Sequence, residues 1–76
     1  MIELKVVHRQ RKPNPNIQEV TIRREDLPPL RNLGRGGTMV SVEGEQWFAC
    51  PGLKRVHCDC ETTGAKKGDW ILRVRR

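Results

Sequence analysis

Aromatic side chains are nearly missing from this chain: it has no tyrosine, one phenylalanine (Phe48) and two tryptophans (Trp47 and Trp70). Reading nucleic-acid bases by stacking takes several exposed rings, so extensive stacking readout is not expected. Long apolar runs are missing too. No stretch approaches the roughly 18–20 residues that cross a bilayer as a helix. The opening run Met1-Ile2-Glu3-Leu4-Lys5-Val6-Val7-His8-Arg9 is charged every few residues, where a signal peptide has an unbroken apolar centre. A soluble cytoplasmic protein is the expectation. Helical periodicity is absent over the ~11 residues that define it, and there is no internal repeat, heptad or low-complexity tract. Cysteine occurs only three times. In a reducing compartment that odd number does not suggest a disulfide framework.

Acidic residues are also in the minority, with 9 Asp and Glu against 15 Lys and Arg, a net charge of +6 on 76 residues. Such an excess on so small a body favours polyanionic partners, nucleic acid first. Arginine outnumbers lysine, which suits bidentate contacts to phosphate or carboxylate. The blander account is that the charge only keeps a small protein soluble. The length allows one domain, residues 1–76, because two halves would each fall below the ~40 residues at which a fold usually needs a staple or a partner.

What the chain does contain is alternation. Ile2, Leu4 and Val6 fall on one side of an extended run over residues 2–10, and Glu3, Lys5 and Val7 on the other. Pro13, Asn14, Pro15 and Asn16 supply turn chemistry. Residues 17–24 alternate again, with Val20 and Ile22 on one face, and the two runs read as an antiparallel hairpin. Pro28 and Pro29 cannot continue a strand, so a short helical turn is expected near Glu25–Asn32, followed by a glycine-rich connector over residues 32–37. Residues 38–42, the tight turn Glu43-Gly44 and residues 46–50 predict a second hairpin. Cys50-Pro51-Gly52 is expected to turn the chain into another short strand over 53–60. After a polar turn region at 62–68, residues 69–76 predict a last strand with Trp70, Leu72 and Val74 inward and Ile71, Arg73 and Arg75 outward. Trp47, Phe48, Trp70 and Met39 are the large apolar side chains expected to fill the core. The fold class that follows is mainly β: an antiparallel sheet of five or six short strands curling into a small SH3-like or OB-like barrel.

The stretch from Trp47 to Cys60 concentrates the reactive residues. Cys50, His57, Cys58 and Cys60 are of zinc-ligand type, and three thiolates with one imidazole make a known structural set. Their spacing argues the other way. Cys58 and Cys60 are separated by a single residue, His57 would point to the opposite side of a strand from Cys58, and no second paired knuckle exists. Cysteines acting as small buried hydrophobes are the preferred reading. The adjacency of His57 and Cys58 likewise separates them as a nucleophile and base. Glu43 and Glu45 flank a turn glycine and read as a solvated hairpin tip. No enzyme is expected. Gly34-Arg35-Gly36-Gly37 lacks the strand before, the helix after and the Lys-Ser/Thr ending of a nucleotide loop, and reads as a connector with Arg35 available to phosphate.

The cations fall in clusters: Arg9, Arg11 and Lys12; Arg23; Arg35; Lys54 and Arg55; Lys66 and Lys67; Arg73 and Arg75. Arg9, Arg23 and Arg73 are expected to share one outward face. These residues are the candidates for phosphate contact with little sequence readout. A module of a different class remains open. A small protein-binding regulator or inhibitor, of phage or mobile-element type, could dock on an acidic protein surface through an apolar anchor such as Met39, Leu30 or Trp47.

Overall fold

The computed structural model describes residues 2–29, 33 and 37–76. The chain forms six strands: β1 (Ile2–Leu4), β2 (His8–Arg11), β3 (Ile17–Ile22), β4 (Met39–Val42), β5 (Glu45–Arg55) and β6 (Trp70–Arg75). They build one mixed sheet in the order β1-β4-β5-β6-β3-β2, which curls as a half-barrel compatible with the small SH3-like and OB-like forms. The curl follows from connectivity. The edge strands β1 and β2 are joined by residues 5–7 alone. Four chain steps from Leu4 to His8 reach about 14 Å at most, whereas five strand spacings in a flat sheet would hold the edges about 24 Å apart. Only a curved sheet satisfies both.

Both hairpins form as expected. His8–Arg11 pairs antiparallel with residues 18–21 of β3, and Met39–Val42 pairs with residues 45–48 of β5. Glu43 (φ 51°) and Gly44 (φ 84°) make the two-residue turn of the second hairpin. Positive φ at both positions matches the twist of the flanking strands. The run 2–10 is not one strand, however. It breaks after Leu4, and β1 pairs parallel with β4, Ile2 opposite Val40 and Leu4 opposite Val42, so the sheet is mixed. Alternation along a sequence cannot report which neighbour a strand finds.

Two further expectations change. Cys50-Pro51-Gly52 does not reverse the chain. β5 runs through it with a bulge: between the pairs Ala49–Val74 and Leu53–Leu72 there are four residue steps on β5 against two on β6. Pro51 is tolerated because it lies in the bulge, past the last residue paired with β4, where no ladder hydrogen bond is lost. Gly52 takes φ 94°, a conformation that favours glycine. The strand expected over 53–60 therefore stops at Arg55, and Val56 to Asp69 form a loop. Val56 N–H donates to the Asp69 carbonyl (2.8 Å) and Gly68 N–H to the Val56 carbonyl (2.9 Å), pinning the loop at its neck. Of the helical turn expected near 25–32, a 3-10 turn at Arg24–Asp26 is present, while Leu30, Arg31 and Asn32 lie outside the described residues.

The concave face carries the core: Leu4, Val20, Ile22, Val40, Val42, Trp47, Ala49, Leu72 and Val74, with Leu33 from the connector. Leu33 is 1% exposed, so the glycine-rich segment contributes a core residue as well as a link. Among the four large side chains expected inside, Trp47 is buried, Phe48 and Trp70 are half-buried, and Met39 is exposed. Met39 and Phe48 pair across β4 and β5, and both have the parity of the convex face. Among the described residues no helix is long and apolar enough to cross a membrane.

Candidate nucleic-acid interface

Register decides where each cation goes. On β6, Leu72 and Val74 are buried, so Arg73 and Arg75 between and beyond them stand on the convex face. Lys54 pairs with Ile71 and Phe48 with Arg75, which places both on that face as well. The Arg75 guanidinium lies over the Phe48 ring, 5.5 Å from its centroid, within reach of a cation–π contact. Lys54, Arg73 and Arg75 thus form an outward group on two neighbouring strands.

Arg9, Arg23 and Arg73 do not form the shared outward row expected of them. Arg9 pairs with Val20, whose side chain is wholly buried, so it turns to the concave side. There it donates from Nη2 to Gln18 Oε1 (2.7 Å) and from Nη1 to Glu43 Oε2 (3.1 Å). Its guanidinium is 6.0 Å from the Trp47 ring centroid. Arg76 lies closer to the same ring, at 4.5 Å, and donates to Glu45 Oε2 at 2.7 Å. These contacts tie β2 and β3 to the β4–β5 hairpin across the open end of the half-barrel. The Arg76 hydrogen bond, aided by Arg9, holds the Glu45 carboxyl below its ordinary range. Glu43 and Glu45 are therefore partners in a closure, not merely a solvated tip.

Arg23 sits at the opposite end. Its Nη1 donates to Asp69 Oδ2 (3.0 Å), which also accepts the Lys66 backbone N–H (2.9 Å). Asp69 is only 4% exposed, so this pair anchors the Val56–Asp69 loop and holds Lys66 and Lys67 near its neck beside Arg23 and Arg24. Arg55 stacks on Trp70 at 5.7 Å. Arg11 and Lys12 stand with Arg76 at the other end. Arg35 lies outside the described residues. The cations are not spread evenly: among the described residues, β1 and β4 carry no lysine or arginine. β6 runs from the Lys66–Lys67 end to the Arg11–Lys12 end, with the convex group between.

One residue that sequence reasoning passed over stands at the centre of that group. Glu19 pairs with Arg73 on the convex face. Its Oε1 is 2.7 Å from Lys12 Nζ and its Oε2 is 3.8 Å from Arg73 Nη2. The Lys12 hydrogen bond holds its carboxyl below the ordinary value, against the opposing effect of burial. The alternation that put Val20 inward already put Glu19 outward, and only the β3–β6 register was needed to place it beside Arg73.

The four residues of zinc-ligand type are not gathered at one point. Among the described residues no three of His, Cys, Asp and Glu come together closely enough to hold an ion. Cys50 lies on β5, while His57, Cys58 and Cys60 belong to the loop that follows. Nor are the cysteines buried hydrophobes: Cys58 is exposed, and Cys50 and Cys60 are half-buried. The Thr63 hydroxyl and backbone beside Cys60 hold its thiol below the ordinary range.

The chain matches no family model, no curated protein and no solved structure.

Proposed function

We propose that the protein is a non-enzymatic nucleic-acid-binding module that contacts phosphate through the convex face of β5 and β6 and works in the cytoplasm. The observation that carries this reading is the outward group Lys54, Arg73 and Arg75 on the face opposite the core. Lys66 and Lys67 extend it at one end and Lys12, beside Glu19, at the other. A curved sheet with a cationic convex face offers a strand backbone many phosphate contacts without a deep pocket. The half-buried Phe48 supplies one flat surface there, and its capping by Arg75 fits phosphate contact better than repeated base stacking. The test is binding of a labelled single-stranded oligonucleotide at about 50 mM salt, with affinity falling steeply as salt rises. Absence of binding at that salt overturns the proposal.

A second reading is favoured by one specific observation. Met39 is 39% exposed and adjoins Phe48 across β4 and β5. An exposed apolar anchor whose neighbour Phe48 is capped by Arg75 suits a small regulator docking on an acidic protein surface. Met39→Glu separates the two: it abolishes docking through that patch and leaves oligonucleotide affinity within about twofold, since a single peripheral charge adds little at moderate salt.

A further inference from the structure

The bulge in β5 opens a groove on the convex face, a cavity of about 570 Å³ between the bulge and β6. Cys50, Pro51 and Ile71 give it an apolar lining, Lys54 and Arg73 stand beside them, and the Glu19 carboxylate completes it. A face that only gripped phosphate would gain nothing from a carboxylate among its cations. Glu19 nonetheless points into this groove, its side chain 11% exposed. Ionised, it is purely an acceptor, with lone pairs to spare beyond its two cation contacts.

We propose that this groove takes one unpaired base of a single-stranded nucleic acid, and that Glu19 makes guanine the preferred base. The inference rests on the nucleic-acid reading above. The volume falls in the range of small-molecule sites, roughly 300–1,000 Å³. Lys54 and Arg73 are placed for the flanking phosphates while the apolar lining takes the face of the base. Guanine presents two adjacent donors, N1–H and N2–H, on its Watson–Crick edge, and a carboxylate can accept both. Thymine and uracil offer a single donor between two carbonyl oxygens, which a carboxylate repels. In a duplex the same edge of guanine is already paired, so the groove selects single strands.

The test uses the full chain and strands of about ten nucleotides, within the usual site size of small β-barrels. One strand is all thymine and the other carries a single central guanine. Wild type is expected to prefer the guanine strand about fivefold or more, the lower end of what a bidentate edge contact supplies. Glu19→Gln is expected to bind the all-thymine strand at least as tightly as wild type and to lose the guanine preference. A merely structural salt-bridge role would instead change affinity for both strands alike. Thiol alkylation of wild type, resolved by residue, gives an independent reading that needs no variant. The guanine strand should slow alkylation of Cys50, inside the groove, and leave the exposed Cys58 unchanged, while the corresponding duplex should protect neither. Equal affinity for the two strands, or Cys50 alkylated at its unbound rate in the saturated complex, overturns the groove assignment while the phosphate-binding face stands. No binding of any oligonucleotide at low salt overturns both.

Discussion

The sharpest prediction concerns how binding responds to salt, because register divides the cations into groups with different duties. Lys54, Arg73 and Arg75 stand on the convex face, and among the described residues only Arg73 of the three makes an ion pair, with Glu19 at 3.8 Å. Arg9 is committed inward, its side chain 12% exposed and in contact with Gln18, Glu43 and Glu45. Each phosphate neutralised on a single strand contributes about −0.7 to the slope of log K against log salt, so all the cations of the proposed face together cap the slope near −4, and the three convex cations alone give a slope near −2. Between 50 and 200 mM salt that slope lowers affinity by about twentyfold. Arg75→Ala and Lys54→Ala should each reduce the slope by about 0.7. Arg9→Ala should leave the slope unchanged even where it lowers stability. Fluorescence anisotropy at four or more salt concentrations measures all of these. This division of the cations is refuted if Arg9→Ala flattens the slope as much as Arg75→Ala does. It is refuted equally by a wild-type slope several times steeper, which would mean that cations all around the body engage.

Other outcomes can be checked on the free protein. Leu72 is 1% exposed and lies between Val20 and Leu53 in register, so Leu72→Ala should cost about 2–5 kcal/mol in urea unfolding. For 76 residues the whole stability is about 4–11 kcal/mol, so the urea midpoint should fall by a large fraction of its wild-type value. Asp69→Ala leaves the Lys66 N–H and the Arg23 guanidinium without their acceptor. It should cost about 1–3 kcal/mol and speed proteolysis between Val56 and Asp69. Gly52→Ala meets no atom within 4 Å, so its cost comes from φ 94° alone, about 1–2 kcal/mol. Lys12 depresses the Glu19 pKa below the ordinary 4.5. The stabilisation is therefore present above about pH 4.5 and is lost as pH falls through the lowered folded value. Urea midpoints of wild type and Glu19→Gln should differ at pH 7 and converge once acid protonates Glu19 in the folded state, and a gap that persists there would refute the assignment.

The sequence by itself determined the material of the fold. Period-two alternation placed Val20, Ile22, Leu72 and Val74 inside and Arg73 and Arg75 outside, because a strand sends successive side chains to opposite faces whatever its neighbours are. The Glu43-Gly44 turn was legible for a similar reason, since its conformation depends on two local dihedral angles. Pairing partners were decided only by the tertiary structure. The parallel β1–β4 contact, and the curl it shares with the three-residue link to β2, depend on contacts between segments far apart in sequence. That arrangement turned Arg9 inward, brought Glu45 to Arg76, and set Glu19 against Arg73. The Cys-Pro-Gly signal had two local solutions, a reversal or a bulge. Leu53 settled the choice by pairing with Leu72, because a reversal there would have lost the remaining β5–β6 ladder. Charge and alternation are properties of the chain; the groove exists only where a bulge on one strand meets the register of another.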